Sequence, residues 1–257
     1  MSSQSTNNDE YQVADNVFAF TGTDVNWVLV QEGTELTLID AGWEGDIQDV
    51  ERSIRSLGRR PEDVRAVLLT HAHADHTGAL NHLHDMYGVP LYMDAVEVLN
   101  ARGEHVETGG AVDVARYLYR PQVVRWAAHM VKAGALQHTT SPGAQPFPHE
   151  GALDLPGGPV PIATSGHTSG HTSYFLPSVG AVITGDALVS AHPTLKDVGP
   201  RLLPAGFTHD QHRAIESLES LRVLDADMFV PGHGAAWYGR ISDSVEQALA
   251  HVTHNRS

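Results

Sequence analysis

The six residues His71-Ala72-His73-Ala74-Asp75-His76 concentrate three imidazoles and a carboxylate. Such a run cannot all be core packing, because a buried polar group without a partner is costly. In a loop leaving a strand, His71 and His73 can face one way, while Asp75 and His76, entering the next helix, face another. The run therefore offers two ligand pairs rather than one cluster. Imidazole and carboxylate donors suit zinc, iron or manganese. Three further polar loops set a ligand-type residue beside a glycine, where the backbone can turn sharply and approach an ion. They are Thr164-Ser165-Gly166-His167-Thr168-Ser169-Gly170-His171, Thr184-Gly185-Asp186 and Pro231-Gly232-His233-Gly234. Any one alone reads as a turn; with the first run they supply ligands for two metal ions.

Each loop follows a strand-like run that must hold it. Val64 to Thr70 is nearly continuous in apolar residues, the pattern of a strand buried on both faces. Val160 to Thr164, Ala181 to Thr184 and Met228 to Val230 precede the other three loops, and Thr172 to Leu176 is a further strand. Upstream, Val13 to Phe20, Val25 to Gln31 and Glu35 to Asp40 are β-like runs separated by glycine-containing turns. Ile47, Val50, Ile54 and Leu57 have helical spacing and stop at Gly58, a natural C-terminal cap. Gly78 to Tyr87 reads as a helix ending at Gly88, and Val89 to Met93 as a strand. Asp94 with Glu97 is a capping box opening another helix. From about 100 to 150 the rhythm breaks: two helices, the second with Pro121 in its first turn, precede a loop from His138 to Pro148. This stretch is expected to be a helical insertion over the scaffold. After a second loop at 187–206, a helix carries Ile215, Leu218 and Leu221, and Val245 to Val252 forms a terminal helix. Residues 1–10 read as a disordered tail. The remainder, 11–257, is expected to be one domain of two packed sheets with helices outside.

Composition narrows the class. The chain of 257 residues has 16 Lys plus Arg against 31 Asp plus Glu, a net charge of −15, with 17 histidines and no cysteine. Disulfides, iron–sulfur clusters and thiolate-ligated zinc are excluded. No apolar run approaches the roughly 20 residues of a membrane span, and the polar start is not a signal peptide. The acidic balance disfavours a nucleic-acid partner, which needs a basic face. A soluble, cytoplasmic protein acting on a small molecule is expected, with its oligomeric state left open.

His71-x-His73-x-Asp75-His76, Gly-His167-Thr, Thr-Gly-Asp186 and Pro-Gly-His233 resemble the motif set of the metallo-β-lactamase-fold hydrolases, in the expected order over about residues 11–240. Leu38-Ile39-Asp40-Ala41-Gly42 resembles the strand end that precedes the first motif. The resemblance implies an α/β fold of the α+β kind, a four-layer αβ/βα sandwich of two mixed β-sheets with outer helices. It also implies a dinuclear metal centre at one edge, zinc being the expected ion and iron or manganese the alternatives. Carried over, His71, His73 and His167 hold one metal, Asp75, His76 and His233 the other, and Asp186 bridges them. Asp40 would keep ligands in orientation, and His171 is a candidate for the same task. Two divalent ions about 3.5–4 Å apart can share a water and lower its pKa, so that a bridging hydroxide attacks at neutral pH. Asp75 would orient it and pass a proton to the leaving atom.

Departures from subfamilies narrow the substrate. Lactamases with a cysteine ligand are excluded, since Asp186 stands there. A bridging aspartate resembles the glyoxalase II-like thioesterases and the lactonases, yet no glutathione-binding helical domain is expected after Gly234. Val189 stands where acyl-homoserine-lactone lactonases often carry tyrosine. The expected activity is hydrolysis of an ester-like acyl bond in a lactone, thioester or small ester. The alternatives are a β-lactam hydrolase, a mononuclear-iron persulfide dioxygenase, or a non-catalytic ligand-binding member of the fold. Tyr117, Tyr119, Trp126, His192 and His209 are the candidate pocket residues.

Overall fold

The computed structural model describes residues 11–107, 114–137 and 140–254; the tail at 1–10 lies outside them. Strands β1 (Gln12–Ala14), β2 (Val17–Thr21), β3 (Asn26–Glu32), β4 (Glu35–Ile39), β5 (Val64–Leu68), β6 (Leu91–Met93) and β7 (Ala144–Pro146) form one sheet in that spatial order. Pairing is antiparallel from β1 to β4 and parallel from β4 to β7. The second sheet runs β12 (Trp237–Tyr238), β11 (Met228–Pro231), β10 (Ala181–Gly185), β9 (Thr172–Leu176), β8 (Val160–Ala163), with only β10–β11 parallel. Helices α1 (Ile47–Ser56), α2 (Ala74–Thr77), α3 (Leu80–Tyr87), α4 (Ala95–Ala101), α5 (Pro121–Ala133), α6 (Gln211–Arg222) and α7 (Ile241–His254) complete the described elements.

Period-2 alternation explains the layering. In β3, Val28 and Val30 face the second sheet, meeting Tyr174, Leu176, Ile183 and Val230, while Trp27 and Leu29 pack toward Ile54, Leu80 and Leu83 of α1 and α3. In the other sheet, Val182 and Phe229 turn outward onto Leu218 and Leu221 of α6 and Val245 of α7. The result is helix, sheet, sheet, helix, a mixed α/β sandwich. No helix among the described residues is long and apolar enough to cross a membrane.

Several sequence expectations shift in detail. The run from Val13 to Phe20 is two strands, because Asn16 turns the chain at φ 59°. The helix expected from Gly78 starts two residues later, as α3 at Leu80, and ends at Gly88 as expected; the short α2 precedes it over Ala74–Thr77. The loop from His138 to Pro148 contains β7, so the insertion returns to the sheet at its end. Asp94 caps α4 by accepting from the Val96 amide, but Glu97 does not close the capping box; its carboxylate turns to other loops.

Candidate metal centre

The four polar loops meet at one edge of the sandwich. β5 delivers His71 and His73; the turn into α2 delivers Asp75 and His76; the loops after β8, β10 and β11 deliver His167, Asp186 and His233. Three groups of ligand atoms lie within 4.8 Å of one another: His71, His73 and His167; His71, His76 and Asp186; Asp75, His76 and His233. Asp186 sits between the two ends. Its Oδ2 is 3.4 Å from His167 Nε2 and 3.3 Å from His233 Nε2, and its Oδ1 is 3.6 Å from His76 Nε2. Gly232 permits this closeness, since a Cβ there would stand 2.2 Å from Asp186 Oδ1.

The outward nitrogens fix which atoms face inward. Asp40 accepts from the Thr70 amide at 2.8 Å and from its hydroxyl at 2.9 Å, so the hydroxyl proton points at Asp40. His71 Nδ1, 3.0 Å from that hydroxyl, is then the donor, and His71 Nε2 carries a lone pair. His73 Nε2 donates to the Glu107 carbonyl at 2.6 Å, so in the tautomer that can ligate a metal the lone pair is on His73 Nδ1, facing inward. These two inward nitrogens are 3.0 Å apart, and His167 Nε2 lies 3.0 Å from the second of them. Facing lone pairs repel, and a cation between them removes the repulsion. At the other end, His76 Nδ1 donates to Asp40 at 2.8 Å and His233 Nδ1 donates to the Asp24 carbonyl at 2.7 Å, which turns both Nε2 atoms inward. His76 Nε2 and Asp186 Oδ1 are buried without a hydrogen-bond partner. The donor set, nitrogen and oxygen without sulfur, fits divalent metal ions of the zinc, iron or manganese type.

Electrostatics divide the centre. Burial holds His71 and His167 well below the usual histidine range, so both rings are neutral. Burial also disfavours the His76 cation, but Asp40 and Asp75 outweigh it and raise the group to about 9. His233 is raised in the same way by Asp186 and Asp75. The Asp75 and Asp186 carboxyls, pushed up by burial, are held low by these histidines. His171 is pushed down to about 3 by burial; its Nε2 accepts from the Asp186 amide at 3.1 Å, and its Nδ1 donates to Thr164 Oγ1 at 2.9 Å. It thus fixes the backbone of the central aspartate.

A cavity of about 420 Å³ opens over the centre, lined by Asp75, Asp186, His192, Trp43, Trp126 and Phe207 among others. No lysine or arginine is among its described lining residues. Of the sequence-predicted pocket residues, Trp126 and His192 line it, their rings 4.9 Å apart. The remaining three do not. Arg120 captures Tyr117 and Tyr119 at 5.5 and 5.4 Å, so Tyr117 lines a neighbouring groove and Tyr119 stays 75% exposed. The His209 side chain points away, toward Glu107 at 3.8 Å, although its amide donates to the His167 carbonyl. Trp43 escaped the sequence reading because it lies in an otherwise ordinary turn before α1. Glu97 escaped it because the capping-box signal offered a sufficient local explanation.

A profile described as the metallo-beta-lactamase superfamily matches residues 20–233. The chain belongs to that superfamily. Relatives in this superfamily include the "Probable metallo-hydrolase YflN" of Bacillus subtilis, 26% identical over 242 residues that cover 90% of this chain and 88% of the relative. An exodeoxyribonuclease, WalJ of Streptococcus pneumoniae, is 32% identical, but over only 28% of this chain and 26% of its own length. A metallo-beta-lactamase family protein from Thermus thermophilus shares the fold at a TM-score of 0.63 with 23% identity, covering 95% of this chain and 81% of that one. A metallo-beta-lactamase from Cronobacter sakazakii superposes at a TM-score of 0.68 with 16% identity, covering 95% and 93%.

Proposed function

We propose that the protein is a metal-dependent hydrolase of an ester-like acyl bond, in a lactone, thioester or small ester, working with two divalent ions, zinc first among them. His71, His73 and His167 would hold one ion, and Asp75, His76 and His233 the other, with Asp186 shared. The observation that carries this is the facing of the His71 and His73 lone pairs at 3.0 Å, continued by the orphaned Nε2 of His76 and Oδ1 of Asp186. When bound, the two ions supply a water acidic enough to attack at neutral pH and polarise the acyl carbonyl. The chain does the rest. Asp75 borders the cavity and is the more accessible of the two central carboxylates, so it can orient the attacking water and carry its proton to the leaving atom. Trp43, Trp126 and Phe207 exclude water and seat an apolar acyl part.

The described lining, largely apolar and without lysine or arginine, supports an acyl substrate with an apolar part over a polyanionic nucleic acid. The test is metal analysis together with a panel of chromogenic esters, thioesters, lactones and a cephalosporin. About two zinc ions per chain with turnover of an acyl substrate with an apolar part is the expected result. One iron per chain with oxygen consumption would overturn it, and so would zinc-loaded protein inert toward the whole panel.

A further inference from the structure

The proposed reaction leaves one buried carboxylate beside the centre without a task. Glu97 is fully buried in the first turn of α4, whose N-cap is Asp94. A glutamate in that position ordinarily reaches back to its own cap; this one reaches across to two ligand loops. One oxygen accepts from the Ala72 amide at 2.8 Å. The other accepts from the Thr168 hydroxyl at 2.5 Å, the Gly170 amide at 3.0 Å and the Asn100 side chain at 3.2 Å. Ala72 lies between His71 and His73, and Thr168 directly follows His167. Both Glu97 oxygens are thus engaged by donors from the two loops and from α4 itself, directly behind the three-histidine end.

The surrounding backbone is built for this contact. A Cβ at position 170 would stand 2.9 Å from Glu97 Cγ, Glu97 N and Asp94 Oδ1, so glycine is what lets the 164–171 loop seat on α4. Glu107 extends the same support: its carbonyl takes the His73 Nε2 proton, and its carboxylate accepts from the Ser169 amide at 2.7 Å and hydroxyl at 2.6 Å. The opposite end of the centre is held by other groups, Asp40 and the Asp24 carbonyl.

We infer that Glu97 is a positioning residue for the metal held by His71, His73 and His167, setting the spacing between their two loops. The inference rests on the two-metal reading. Glutamine is a sharp probe, because it has a single accepting oxygen: serving Ala72 with it gives up the Thr168 and Gly170 bonds, and the reverse. Such supporting partners change metal affinity by about 10–100-fold.

The experiment is zinc stoichiometry and chelator competition, with Zn2+ alone as the probe, on the wild type, Glu97→Gln, Glu97→Asp and Ser53→Ala. Ser53 is buried away from the centre and accepts from Trp27 at 3.0 Å, so its loss reports on ordinary destabilisation. Expected is a wild type with two tight zinc ions, and Glu97→Gln holding one as tightly while the other weakens about 10–100-fold. Ser53→Ala should lower the melting temperature without separating the two ions. Two unchanged affinities in Glu97→Gln, or two that fall equally, would overturn the inference. Should Glu97→Gln not fold, Glu97→Asp carries the same outcomes, because it keeps the charge but shortens the reach. A wild type binding a single zinc would defeat the two-metal reading; the role of Glu97 then stands only if its substitution still weakens that ion.

Discussion

The two ends of the centre are held by different means. His73 and the loops of the first end are braced from α4 and the turn after it, through Glu97 and the Glu107 carbonyl, while His71 is oriented by Thr70 at the end of β5. His76 and His233 are oriented from the first sheet, through Asp40 and the Asp24 carbonyl, and Asn26 ties down the last loop by donating to the Pro231 and Gly234 carbonyls. The first end is three imidazoles, two of them held neutral by burial; the second pairs each histidine with a carboxylate. Similar ligand counts thus arise from unlike electrostatics. Both ends border the cavity, through His73 and His167 on one side and Asp75 and His233 on the other, and Asp75 is the carboxylate there that can hand on a proton.

That contrast can be broken in order of effect. Asp75→Ala should lower kcat by about 10²–10⁴-fold, the usual share of a positioned acid–base group, with little change in melting temperature. Equal losses of activity and thermal stability would make Asp75 a structural residue and erase the functional asymmetry. Asp40→Asn should weaken zinc about 10–100-fold, mainly at the His76 end. Asp40 adopts φ 60°, a conformation asparagine tolerates, so the change isolates the carboxylate. Chelator titration showing both ions equally weakened would mean the two ends share one support through Thr70.

Trp126→Ala should raise KM about tenfold for a long apolar acyl chain, near 1.4 kcal/mol, and leave an acetyl ester unaffected. A uniform change across chain lengths would remove the wall from substrate selection. The smallest effect lies outside both ends. Burial raises Glu51, but bonds from Tyr87, His82 and Arg55 lower it from 4.5 to about 2. A depressed carboxyl contributes stability above its unfolded value, and that contribution is lost as pH falls through the folded one. The difference in urea midpoint between wild type and Glu51→Gln should therefore hold above pH 4.5 and shrink toward about 2. A difference that persists in acid would assign the effect to packing.

Much of this arrangement was legible along the chain. The strand-like runs of β5, β8, β10 and β11 were readable, and the polar loops after them announced where ligand-type side chains would gather. Asp40 was readable only through the resemblance, because a lone aspartate at a strand end carries no local signal. The pocket wall was least legible: of five residues named, Trp126 and His192 reach the cavity. Tyr117 and Tyr119 are diverted by a neighbouring arginine, a competition that spacing does not encode.

Sequence by itself determined which donors exist, and that sulfur is not among them, since side-chain chemistry is a local property. It also determined the layering, because period-2 and period-3.6 patterns fix which face of each element is buried. Tertiary structure decided which nitrogen of His71, His73, His76 and His233 faces the centre, because that depends on a partner for the other nitrogen, up to 209 residues away. It also turned Glu97 from a helix cap into a brace for two loops. A carboxylate takes whichever donors folding brings to it, and here the Ala72 and Gly170 amides, not its own cap, come within reach.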